Sequence, residues 1–126
     1  MRRPRSLAEV SSWSEDRRTF HRHLADFLDQ FYLERSSQML GEEPDLLADA
    51  FDGGAVADAY LAATAVSLAR ELGCVPPAWT RSERRSLPYP WFASEGVAIR
   101  ATLLAESPAP FRERNLFVSA NALSRA

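Results

Sequence analysis

Phe20, Leu24, Phe27, Leu28 and Phe31 recur at i, i+4, i+7, i+8 and i+11, the spacing of one apolar stripe on an α-helix. His21, Arg22, Asp26, Asp29 and Gln30 lie between them and make the wet side. The pattern predicts a helix over about residues 14–36, with Ser14 as its N-cap and Glu15 and Asp16 in the first turn, where the helix dipole favours acids. Gly41 and Pro44 close the region. Asp45 to Ala50 predicts one short helical turn, interrupted by Gly53-Gly54.

A second pattern begins just beyond. Val56, Tyr60 and Ala63 form one apolar face, and Leu61, Ala65, Leu68 and Leu72 form another. Gly73 stands just past the end, the position where a left-handed C-terminal glycine stops a helix. A helix with two apolar faces packs on more than one neighbour. We therefore expect a central helix over about residues 55–72.

The pattern then changes. Val75-Pro76-Pro77-Ala78-Trp79 and Leu87-Pro88-Tyr89-Pro90-Trp91-Phe92 bracket the charged stretch Arg81 to Arg85. Prolines fix φ and remove amide donors, so this reads as an ordered but irregular connection. Ser94 and Glu95 open another helix, with Val97, Ala101 and Leu104 on one face and Ile99 and Leu103 beside it. Pro108 suits the first position of a further helix. Leu116-Phe117-Val118 is β-prone, and Ala120 to Ala126 predicts a last helical turn.

These elements give an all-α fold: a single domain of four or five helices with a Pro/Trp-rich connection and an ordered C-terminal tail. Residues 1–13 read as a basic N-terminal arm and anchor, in which Leu7, Val10 and Trp13 begin a short helix or serve as an anchor. Residues 14–126 form the helical domain. At 126 residues and 46% hydrophobic content, a domain of this size owns a core without cross-links. Cys74 is the only cysteine, which suits a reducing cytoplasm. One cysteine and two histidines give no standard zinc site. No metal, cofactor or membrane contact is expected.

Every basic residue is arginine. Residues 1–63 carry seven arginines and twelve acids, a net of −5, whereas residues 64–126 carry eight arginines and five acids, a net of +3. Two differently charged faces suit a charged partner. Arg81, Arg84 and Arg85 in one segment, and Arg112 and Arg114 in another, are the candidate partner-binding residues, because guanidinium forks pair bidentately with carboxylates and phosphates.

Two other chemistries are open at this stage. Arg18 and His23 stand at the Arg-x4-His spacing of the all-helical HEPN ribonucleases. There a histidine serves as general acid or base on a ribose hydroxyl, and an arginine neutralises phosphate. Alternatively, Arg81, Arg84 and Arg85, with Trp79, Tyr89 and Trp91 nearby, fit single-stranded nucleic acid through stacking and phosphate contacts.

Several segments together carry a resemblance. They are Asp58-Ala59-Tyr60-Leu61-Ala62-Ala63, Pro76-Pro77-Ala78-Trp79, Pro90-Trp91-Phe92, Glu106-Ser107-Pro108, Phe111-Arg112-Glu113-Arg114-Asn115-Leu116-Phe117-Val118 and Leu123-Ser124-Arg125-Ala126. Over roughly residues 24–126 the chain resembles a family of small bacterial helical proteins found beside predicted nucleotidyltransferases in toxin–antitoxin-like gene pairs. The resemblance implies a non-catalytic interaction module, an antitoxin-like partner that neutralises a nucleotidyltransferase-type toxin by covering its active site.

Overall fold

The stripe Phe20, Leu24, Phe27, Leu28 and Phe31 is buried along its whole length in the computed structural model, which describes residues 2–125. It belongs to the second of six α-helices found among the described residues. The fold is mostly helical, as expected. Four helices run seven residues or more: α1 (Leu7–Trp13), α2 (Arg17–Glu34), α4 (Gly54–Glu71) and α5 (Val97–Glu106). Two single turns, α3 (Gln38–Gly41) and α6 (Ala109–Arg112), complete the set.

Helix α2 starts later than its polar signals suggest. Asp16, not Ser14, is the N-cap. Its carboxylate accepts the Thr19 amide at 2.8 Å, and Thr19 Oγ1 accepts the Asp16 amide at 3.0 Å. This reciprocal pair satisfies two otherwise orphaned donors. Ser14 instead closes α1, donating its hydroxyl to the Val10 carbonyl at 2.6 Å. Leu7 and Val10 are completely buried, and α1 lies against α2. Arg2, before α1, is laid down on it: it pairs with Glu9, and its guanidinium sits 4.9 Å from the Trp13 ring centroid.

Helix α4 is the central element. It packs against α2, α6 and the Pro/Trp-rich connection. Its alanines at 57, 59, 62, 63, 65 and 69 are all buried and allow close approach on several sides. Gly73 ends it at φ 71°. The Cys74 amide reaches back to the Ala69 carbonyl at 2.8 Å, and the Gly73 amide to Arg70 at 3.1 Å, the paired bonds of a Schellman stop. The segment before α4 forms turns rather than a helix. It runs so close to the helix start that a Cβ on Gly54 would fall 1.7 Å from the Leu47 carbonyl oxygen.

Within the connection, Ala78–Arg81 and Glu83–Arg85 form two short 3-10 turns. Trp79 is a peg driven into the core, with Nε1 donating to the Leu40 carbonyl at 3.1 Å. Strand β1 (Trp91–Phe92) pairs in parallel with β2 (Leu116–Phe117), and the rings of Phe92 and Phe117 stack at 5.0 Å. The C-terminal segment forms turns over residues 120–123 instead of the expected helical turn. There the Leu123 carbonyl accepts the Tyr32 hydroxyl at 3.1 Å. Arg125 fastens the tail to α2 by a two-pronged contact to Asp29, with Nε 2.9 Å from Oδ1. Met1 and Ala126, expected in the arm and the last turn, lie outside the described residues.

Candidate functional site

The five candidate arginines divide by burial. Arg81, Arg84 and Arg112 are exposed. Arg85 and Arg114 are buried, and their expected role at a partner surface is corrected accordingly. Both are consumed by the fold. Arg85 donates to the Pro44 carbonyl, lies 3.6 Å from the Asp58 carboxylate and 3.5 Å from Glu43, and stacks 5.0 Å from the Trp79 ring centroid. Arg114 donates to the carbonyls of Pro110 at 2.8 Å and Thr80 at 2.9 Å. Burial lowers its pKa from the ordinary guanidinium value, opposed by the charge of Glu113. The physical reason lies in the loops. Irregular, proline-containing segments leave carbonyl oxygens without amide partners, and a buried guanidinium with five donors satisfies several at once.

Asp58 is the acid at the centre of this arrangement. It is wholly buried, and its two oxygens accept the amides of Leu47 at 2.7 Å and Ala48 at 3.0 Å. Burial raises its pKa above 3.8, against the Leu47 amide, Arg85 and the Ala48 amide, all of which favour the anion. The carboxylate thereby ties the turn before α4 to the helix itself. Sequence reasoning assigned Asp58 no role of its own. Its signal was an acid embedded in the apolar run from Val56 to Ala69.

Arg18 and His23 are not brought together. Five residues of helix turn the chain by about 500°, leaving the two side chains about 140° apart around the axis. Arg18 is exposed, whereas the His23 ring meets Trp13 edge-on at 5.7 Å. His21 meets Phe20 and Tyr60 at 5.3 and 5.9 Å. Partial burial there, reinforced by the charge of Arg17, holds its pKa below 6.5. The expected stacking platform is likewise divided: Trp79 is in the core, Trp91 is half-buried, and Tyr89 is exposed. Among the described residues, no three His, Cys, Asp or Glu side chains gather as a metal site.

Helix α5 presents a different surface. Its sequence, VAIRATLLAE, is apolar, yet only Leu103 is buried. At 100° per residue, Val97, Ala98, Ala101, Leu104 and Ala105 form a continuous stripe on the side opposite Leu103. Val97 is 88% exposed and Leu104 50%; Ile99, 48% exposed, lies beside Leu103 and outside the stripe. Leu103 faces inward, and the helix contacts β2. Arg100 borders the stripe, with its guanidinium 5.1 Å from the Phe92 ring centroid. The sequence periodicity placed Val97, Ala101 and Leu104 on one face of this helix, and in the fold that face meets solvent.

No helix among the described residues is long and apolar enough to cross a membrane. Comparison with known proteins gave no match: no family model, no curated protein and no solved structure resembles the chain significantly.

Proposed function

We propose that the protein is a non-catalytic interaction module, an antitoxin-like cytoplasmic partner that neutralises a nucleotidyltransferase-type toxin by covering its active site. The observation that carries this reading is the solvent-facing apolar stripe of α5. Full burial of a Val, Leu or Ile side chain gains about 1.5–3 kcal/mol. For Val97, Ile99 and Leu104 much of that gain is left unrealised within the domain and becomes available to a partner. Surfaces of this kind mark protein contacts when they are contiguous.

The exposed arginines supply the complementary charge. Arg81, Arg84 and Arg112 suit a nucleotide-binding cleft lined with acids, and such pairing speeds encounter and fixes orientation. The resemblance over residues 24–126 supplies the class of partner. Occlusion needs no chemistry from this chain, only a stable docked position that excludes nucleotide from the cleft.

The test is purification of the tagged chain from its native cells, with mass spectrometry of whatever accompanies it. The reading expects one stoichiometric nucleotidyltransferase whose activity is blocked in the complex and returns on dissociation. A chain that returns alone, or bound to RNA, contradicts it.

A further inference from the structure

The C-terminal segment roofs a cavity that the interaction reading does not use. About 270 Å³ in volume, it lies between Tyr32 on α2, Ser67 and Glu71 on α4, Phe111 on α6 and the chain from Ala120 to Ser124. The Phe111 ring is fully buried beneath it, and the walls are mixed: Pro108, Ala122 and Leu123 are apolar, whereas Ser67, Glu71, Asn121 and Ser124 are polar. The roof is held near its C-terminal end by Tyr32 on the Leu123 carbonyl and by Arg125 on Asp29, and at its start by the Ala120 amide donating to Glu106 at 3.3 Å.

Two polar groups face this space without an internal partner. Ser67 and Glu71 stand four residues apart on α4 and so share one helix face. Neither side chain makes a hydrogen bond or ion pair among the described residues. No basic side chain lines the cavity. Burial and the nearby Glu71 charge both hold the Tyr32 phenol above 10.0, against Arg35 on its ring. Glu71 is exposed at the mouth of the cavity with no cation lining the space beside it, so its carboxylate attracts a cation there and repels phosphates and carboxylates. At roughly 30 Å³ per water, the volume suits a molecule of about ten heavy atoms.

We propose that this cavity binds a small organic cation, an ammonium group on an apolar body. Glu71 and Ser67 receive the ammonium; Pro108, Ala122 and Leu123 lie against the apolar part. The site is independent of the α5 surface, and its failure leaves that reading untouched.

The test is an amide NMR titration of the full chain with 2-phenylethylammonium, using 2-phenylethanol and 3-phenylpropionate as neutral and anionic counterparts. Saturable shifts at Ser67, Glu71, Asn121 and Leu123 are expected with the ammonium alone at low millimolar concentration. Glu71→Gln, a change at an exposed position, weakens that binding about tenfold or more. Ala120→Trp, also at an exposed position, fills the opening and abolishes it. The spectra of both variants report that the fold is intact. Absence of saturable shifts around the cavity overturns the proposal, as does equal binding of the three compounds. Unchanged binding in either variant overturns it as well.

Discussion

Arg85 Nη1 lies 3.6 Å from Asp58 Oδ1, and both side chains are fully buried. The pair joins three parts of the chain that are distant in sequence. Asp58 belongs to the central helix and holds the turn at Leu47 and Ala48, while Arg85 comes from the proline-rich connection and holds Pro44. A buried pair of this kind adds little over a well-packed apolar substitute, but losing one partner strands the other. Asp58→Ala leaves a buried guanidinium and two amides unsatisfied, and is expected to destabilise the fold by about 3–5 kcal/mol. Asp58→Asn keeps one acceptor and is milder. Urea denaturation of the two variants checks the order; an Ala variant as stable as wild type contradicts it.

The close approach at Gly54 gives a second prediction. A methyl group there would fall within bonding range of the Leu47 carbonyl oxygen, and a backbone atom held by its neighbouring amide on Asp58 cannot simply rotate away. Gly54→Ala is therefore expected to destabilise by about 3 kcal/mol or more, although alanine is the better helix former. A thermal midpoint equal to or above that of wild type would show that the turn moves freely.

His21 gives the pH dependence. Its folded pKa is below 6.5 because partial burial and Arg17 disfavour the imidazolium. The fold therefore favours the neutral imidazole over the imidazolium. Its contribution is complete above the ordinary value of 6.5. As pH falls below it, the unfolded chain takes up the proton first and stability declines, until the folded imidazole also titrates. Denaturant midpoints measured from neutral to mildly acidic pH should fall in wild type and fall less in His21→Gln. Identical slopes would place the pH dependence elsewhere.

The exposed and buried arginines separate surface from structure. Arg84→Glu is expected to leave stability within about 0.5 kcal/mol of wild type, while Arg85→Glu, one residue away, prevents folding by placing an anion beside Asp58. Circular dichroism distinguishes the two directly. Reversing charge at Arg81, Arg84 and Arg112 together should weaken partner binding and reduce its dependence on salt. A demonstrated complex that survives all three reversals removes these residues from the contact surface.

Much of the helical framework was legible from side-chain spacing. The Phe20–Phe31 stripe, the two-faced run from Val56 to Leu72 and the stop at Gly73 are local patterns, and local geometry enforces them. What escaped depends on contacts far apart in sequence. Arg85 and Arg114 read as surface charges because a sequence does not show which loop carbonyls lack amide partners. Pro44, Thr80 and Pro110 supply those acceptors only after the chain has folded. The periodicity of α5 correctly marked a helix, yet periodicity cannot say whether an apolar face meets the core or solvent. The strand pair at Trp91–Leu116 was half visible: Leu116-Phe117-Val118 reads as β-prone, whereas Pro88 and Pro90 make the segment holding Trp91 and Phe92 read as an irregular connection.

The claim that α5 is a docking surface is tested most directly by capture of the partner with tagged wild type and tagged Leu104→Asp side by side. Leu104 is half exposed and faces away from the core side of its helix, so the variant should match wild type in thermal midpoint. Stoichiometric capture of a nucleotidyltransferase by wild type, and its loss in the equally stable variant, is the predicted result. Equal capture by both proteins would contradict the claim.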